Sequence, residues 1–255
     1  MTLKRRAVLA GLVAAIGLSA QSWAGARAET LAGSNVDTRF MLAFTANGEA
    51  IAPMMPQGWT AIGFPKGPLA GANLLIALED RQIGMAADGS PAAAPKSRAA
   101  AVMALGKGEA GVRLFLLRVY TTDAGYDMLP DGVTAEVSRT SLMEGKPDGT
   151  HQSEIWSVSP TTGGELSVSF DYDVGMGKWV SDEARLFSGS APDVSRVFRY
   201  DQLVELVMSQ PVGKPISGEF SITTSIPDLS GILDGSQELV GVLSYPVYVR
   251  EVFEP

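Results

Sequence analysis

Few side chains in this sequence could do covalent chemistry, and their settings narrow the choice further. There is no Cys and a single His, so thiolate nucleophiles, disulfides, Cys-ligated zinc, iron–sulfur clusters and all-His metal cages are excluded for want of ligands. His151 lies in KPDGTHQSE, a hairpin-turn setting, with neither a second His nor a G-x-S-x-G motif beside it. A Ser-His-Asp hydrolase therefore has no support. Every lysine after residue 28 stands next to Gly or Pro: Lys66, Lys96, Lys107, Lys146, Lys178 and Lys214. A Schiff-base lysine must be desolvated or held beside another cation to be neutral at working pH, and an exposed turn supplies neither. Asp171-Tyr172-Asp173 has part of a calcium-loop spacing, but its side chains alternate as in a strand and no bidentate Glu closes it. No metal and no cofactor is implied.

The arginines sit differently. Arg39, Arg81, Arg113, Arg118, Arg139 and Arg250 fall within strand-like runs. Period-two parity counted from Leu116 puts Arg118 on one face with Leu114 and Leu116, away from Leu117 and Val119. If that face lines a cavity, Arg118 is a buried cation in need of a carboxylate, with Glu79 or Glu136 on neighbouring segments as partners, or it holds the acid group of a ligand. Glu79 and Arg81 share a face at the end of an apolar run, where they either present an acid beside a cation at a cavity mouth or simply terminate a strand. Arg118, Glu136, Glu79, Arg81 and Arg39 are the candidate ligand-binding residues, and no catalytic residue is assigned.

Strands must position these groups. Residues 38–46 (TRFMLAFTA), 72–81 (ANLLIALEDR) and 112–120 (VRLFLLRVY) are apolar runs of strand length, the kind buried on both faces. Polar and apolar residues alternate around Val133, Ala135 and Val137, around Val168, Phe170, Tyr172 and Val174, and again at Phe220, Ile222 and Thr224. GKGEAG (106–111), KPDG (146–149), TGG (162–164) and GMG (175–177) are turn signals between runs. Ala99–Leu105 is read as one arm of a hairpin rather than a helix. Helical signals are short: Asn47 can cap a turn before Pro53, and Asp228 can cap a helix in PDLSGILDGSQELV. No repeat or linker divides the chain, so residues 29–255 are expected to form one mostly β domain, an antiparallel barrel or cone-like sheet with a few short helices.

The N-terminus carries an address. Lys4-Arg5-Arg6, an uncharged AVLAGLVAAIGLSA and Ala26-Arg27-Ala28 compose a signal peptide over residues 1–28, with cleavage after Ala28 or, alternatively, Ala24. The paired arginines fit Sec or twin-arginine export alike. Its removal takes away four basic residues and no acid, leaving 16 basic against 28 acidic groups, a net charge of −12. Such a surface repels phosphate backbones, so nucleic acid is disfavoured as a partner. No later run approaches the roughly 20 apolar residues of a membrane span. The expected product is periplasmic or secreted, and a homo-oligomer is compatible with the sequence.

Three segments carry a family resemblance: Arg39-Phe40-Met41-Leu42-Ala43-Phe44, the Met54-Met55-Pro56-Gln57-Gly58-Trp59 turn, and Gly71-Ala72-Asn73-Leu74-Leu75-Ile76. Together they resemble the opening strands of the acetoacetate decarboxylase-like superfamily, mainly over residues 38–80. The resemblance implies a closed, cone-like antiparallel β fold around an internal pocket. Decarboxylases of this type use a Schiff-base lysine in a Tyr-Pro-Lys-Lys-like segment. Tyr126-Asp127-Met128-Leu129-Pro130 occupies the corresponding region without a lysine, so the implication extends to fold and pocket and stops short of the decarboxylation mechanism.

Two functional readings follow. The first is an exported protein whose largely apolar internal pocket binds a small organic molecule, with strand arginines orienting any acid group. The second is a lysine-independent enzyme on the same scaffold, with Glu79 or Glu136 as acid or base and Arg118 as anchor. A pocketless interaction protein stands behind both, and predicts a filled interior and an exposed apolar patch.

Overall fold

The computed structural model describes residues 29–123, 129–147 and 149–255. The signal segment and Tyr126–Met128 thus lie outside the described residues. Twelve strands dominate: β1 (Thr30–Thr45), β2 (Thr60–Ala61), β3 (Leu74–Ala86), β4 (Ser97–Gly108), β5 (Gly111–Thr121), β6 (Gly132–Lys146), β7 (Gly149–Pro160), β8 (Leu166–Asp173), β9 (Lys178–Ser188), β10 (Ser195–Ser209), β11 (Phe220–Thr224) and β12 (Glu238–Glu254). Two single-turn helices, α1 (Gly48–Ile51) and α2 (Pro227–Ser230), interrupt them. The mostly β expectation holds.

The strands run in the order β11-β8-β7-β6-β5-β9-β10-β12-β1-β3-β4-β2, and β4 also pairs with β5. That extra pairing closes β5, β9, β10, β12, β1, β3 and β4 into a ring, while β6, β7, β8 and β11 continue from β5 as a second layer. β5 is where the layers part: Leu114–Leu116 pair in parallel with Leu186–Ser188 of β9, and Val119–Thr121 pair in parallel with Gly132–Thr134 of β6. The other long pairings are antiparallel.

Side-chain parity explains why the apolar runs need two buried faces. On β1, Ala43 belongs to an apolar cluster with Leu75, Met103, Leu114, Leu186, Phe198 and Leu243, which draws on every ring strand and is the ring's interior. Its neighbours Phe40, Leu42 and Phe44 face the other way, into a cluster with Val137, Trp156, Val168 and Phe170 of the second layer. The second layer therefore packs on the outside of the ring. Its alternating strands bury one face only, with Ser138, Thr140 and Ile155 left exposed. Phe40 meets Phe170 edge to face, with centroids 5.0 Å apart at 76°, a contact worth about 0.5–1.5 kcal/mol beyond the area it buries.

The local signals hold with two exceptions. Asn47 caps α1 through a hydrogen bond from the Glu49 N–H, and residues 99–105 lie in β4, the hairpin partner of β5. Gly175–Gly177, by contrast, joins no hairpin: β8 pairs with β7 and β11, whereas β9 pairs with β10 and β5, so the segment crosses between layers. Nor does Asp228 cap a long helix. α2 is one turn begun at Ile226 without a side-chain cap, because Gly231 and Gly235 give the segment no run of helix-forming residues and Asp228 has an ion-pair partner instead.

Candidate functional site

One end of the ring interior is polar. On β1 the inward parity that buries Ala43 also carries Arg39, Asp37 and Asn35, all buried. Glu79 and Arg81 arrive from β3, paired in register with Arg39 and Asp37. β12 supplies Tyr245, Tyr248 and Arg250, and a bulge opposite Asp37 and Arg39 puts both tyrosines, three residues apart, on the same side. Arg250 Nε donates to Asn35 Oδ1 at 2.9 Å, Asn35 Nδ2 donates to Asp37 Oδ1 at 2.7 Å, Asp37 accepts from Arg39, and Arg39 reaches Glu79 Oε1 at 3.3 Å. Arg81 lies 3.5 Å from Asp123. The Arg39 guanidinium stacks on Tyr248 at 3.6 Å from the ring centroid, and Tyr200 stacks on the same ring at 5.2 Å.

Burial opposes the charge on Arg39, but Glu79 and Asp37 more than offset it, so its pKa is raised and it stays a cation. The tyrosines shift for the simpler reason: burial raises Tyr200 and Tyr245 and pushes Tyr248 up to about 12. Arg39 Nε and the Ser97 hydroxyl are among the buried polar atoms here that have no hydrogen-bond partner. Ser97 belongs to β4, in register with Arg81 and of the same parity as Ala99 and Ala101 in the interior cluster.

The interior and the outer core both combine closed and slightly exposed positions. Phe40, Leu42, Val102 and Trp156, between ring and second layer, are 0% exposed. Inside the ring Met103 and Tyr248 retain 6% and Leu114 8%. Ala43, Ala77, Ala99 and Ala101 also face this interior, withdrawing side-chain volume from it. Between the layers Met55 and Val137 likewise retain 8% and 7%, while Ala43, Ala77 and Ala99 inside the ring are fully closed.

Of the five residues singled out from sequence, the structure gathers Arg39, Glu79 and Arg81 in this polar end. Arg118 and Glu136 are elsewhere. Met103 pairs with Leu116 while Val102 pairs with Arg118, so Leu117 is an extra residue in β5. This bulge turns Arg118 to the outer face, where its Nε lies 2.9 Å from Asp228 Oδ2, not against Glu79 or Glu136. Glu136 is exposed on the solvent side of β6, opposite the buried Ala135 and Val137. Asn35, Asp37 and the tyrosines escaped the sequence reading. The i, i+2 spacing of Asn35, Asp37 and Arg39 was a usable signal; that of Tyr245 and Tyr248 was not, because a bulge breaks their parity.

The remaining reactive groups are peripheral. Lys66, Lys96, Lys107, Lys178 and Lys214 are exposed. His151 faces Asp173 at 3.0 Å and Asp171 at 3.7 Å at the start of β7. Among the described residues no three His, Asp or Glu side chains gather as a metal site, and no helix is long and apolar enough to cross a membrane.

No protein-family model matches the sequence, and no curated protein matches it. Solved structures do match in shape. The enduracididine biosynthesis enzyme MppR complexed with pyruvate superposes with a TM-score of 0.56 at 12% identity, over 89% of each chain. MppR with HEPES buffer bound gives 0.53 at 12% identity, over 89% of this chain and 86% of the other. An acetoacetate decarboxylase-like enzyme from Sphingomonas wittichii RW1 gives 0.53 at 13% identity, over 88% of this chain and 90% of that one. The likeness spans both layers and not just residues 38–80, and the chain has the acetoacetate decarboxylase-like fold.

Proposed function

We propose that the protein is exported, loses residues 1–28, and binds a small organic molecule inside the ring. The observation that supports this best is the convergence of Arg39, Ser97 and the tyrosines at one end of an otherwise apolar interior, where Arg39 Nε and the Ser97 hydroxyl are buried without a hydrogen-bond partner. A pocket with an apolar body and a few convergent polar groups is what a ligand needs: here Ala77, Ala101, Met103 and Leu114 provide the body, and Arg39, Ser97 and the tyrosines provide the polar end. That neighbours of this fold are described with pyruvate and with HEPES bound agrees with ligand binding on this fold. Export rests on the cationic, apolar and A-x-A segments of the N-terminus.

A second reading, an enzyme on the same scaffold, draws on the Glu79 carboxylate 3.3 Å from Arg39 within the ring, where an acid or base would meet a bound substrate. Arg118 and Glu136 have no part in it. Native mass spectrometry of the protein purified without detergent from the compartment in which it accumulates, set against the denatured mass, tests the first reading. A reproducible small mass released on denaturation supports it, and N-terminal sequencing of the same sample should begin at Glu29, or at Gly25 for the alternative cleavage. Full retention of residues 1–28 in the cytoplasm would refute export. Should Glu79→Gln keep the bound mass and lose conversion of the released compound, the enzyme reading is the correct one.

A further inference from the structure

Resting on the pocket reading above, we propose that the ligand is uncharged: a molecule with an apolar body and one hydrogen-bond-accepting end, such as a ketone, ester or amide, and not a carboxylate. The reason is charge balance inside the ring. Arg39, Arg81 and Arg250 bring three guanidinium groups to the polar end, and Asp37, Glu79 and Asp123 bring three carboxylates. Arg39 alone is engaged by two of these acids and by the face of Tyr248. No cation among the described residues of this end is left over for an anionic ligand.

An incoming carboxylate would shed its water and meet pairs already closed, the most costly way to bury a charge. A carbonyl oxygen asks for much less. It needs one or two donors, and the Arg39 Nε–H and the Ser97 hydroxyl are buried without partners at this end. Beyond them the walls are Ala43, Ala77, Ala101, Met103 and Leu114, with no charge to satisfy. The interior is thus built for a polar head that accepts hydrogen bonds without carrying charge, followed by hydrocarbon.

The test compares 2-octanone with octanoate, which share a chain length and differ in charge, on protein labelled with 13C at its methionine methyls. Met103 faces the ring interior, whereas Met143 and Met176 are exposed and serve as controls. The ketone is expected to move the Met103 signal and leave the controls in place, with octanoate binding about tenfold or more weaker. Octanoate binding as tightly as the ketone at Met103 would overturn the neutral-ligand inference and leave the pocket reading standing. Neither probe moving Met103 would overturn both. A gain-of-binding variant closes the argument: Glu79→Gln leaves three guanidinium groups against two of the carboxylates and should tighten octanoate by about tenfold or more. Asp37→Asn makes the same change of charge by another route if the first variant melts early. Unchanged octanoate affinity in a folded variant refutes the charge-balance argument.

Discussion

Replacing Glu154 by Gln should destabilise the protein by about 3 kcal/mol, although the two side chains are isosteric, because no orientation of an amide satisfies the donors around it. Glu154 is completely buried on β7. Its Oε1 accepts from Arg139 at 2.8 Å, Ser141 at 2.6 Å and Gln152 at 2.7 Å; its Oε2 accepts from Arg139 Nε at 2.9 Å and Trp156 Nε1 at 3.2 Å. Arg139 and Trp156 can only donate. An amide nitrogen on either side therefore faces a donor, and turning the Gln152 amide to compensate breaks its bond from the Tyr172 hydroxyl. Burial works against the Arg139 charge, and Glu154 and Asp80 more than offset it, so its pKa is raised; it remains a cation when Glu154 is neutralised. Breaking a buried pair from one side costs about 3–5 kcal/mol, and the surviving bond of Arg139 to Asp80 at 3.1 Å puts the expectation at the lower end. For a chain of this size about 2–4 °C of melting temperature goes with each kcal/mol, so a fall of about 6–12 °C is expected. The assay is urea and thermal unfolding followed by circular dichroism and Trp fluorescence, with a double-mutant cycle through Arg139→Met to isolate the pair. A loss under about 1 kcal/mol, or a cycle without coupling, would refute the view that this network clamps the second layer to the ring through Asp80 of β3.

Burial raises the pKa of Tyr120, Tyr172, Tyr200, Tyr245 and Tyr248. Their neutral forms are favoured in the folded state, so this stability is complete below the unfolded value of about 10 and is lost as pH rises through the folded values; phenolate absorbance at 295 nm should emerge together with loss of circular dichroism, and five-fold titration of tyrosine at native dichroism would contradict it. Arg118→Ala and Asp228→Ala, which break a half-exposed pair on the outer face, should each cost only about 0–1 kcal/mol and leave the Met103 response to 2-octanone unchanged; a lost response would return Arg118 to the site. Gly164→Ala should cost about 1–3 kcal/mol, because Gly164 has φ +83° and an added Cβ would sit 2.5 Å from the Ser225 carbonyl oxygen. A urea midpoint equal to that of the parent would show that the turn can relax.

By itself the sequence determined the periodic part of this protein: that it is made of strands, that 38–46, 72–81 and 112–120 are buried on both faces, that Lys66, Lys96, Lys107, Lys178 and Lys214 are peripheral, and that cysteine and multi-histidine chemistry is absent. These features follow from composition and from period-two alternation, which are local. Glu79 and Arg81 were legible as neighbours on one face for the same reason. The tertiary structure alone decided which face is the interior of the ring, since both faces of β1 are apolar over residues 40–44 and only the pairing of β4 with β5 makes one of them concave. It also decided that Arg118 points outward and that Tyr245 and Tyr248 point inward, because one extra residue in β5 and another in β12 shift the alternation where the chain itself carries no break. The partners of the buried charges belong to the tertiary structure too. Arg39 finds Glu79 and Arg139 finds Asp80 across 40 and 59 residues of chain, through strand order and register that no local pattern encodes.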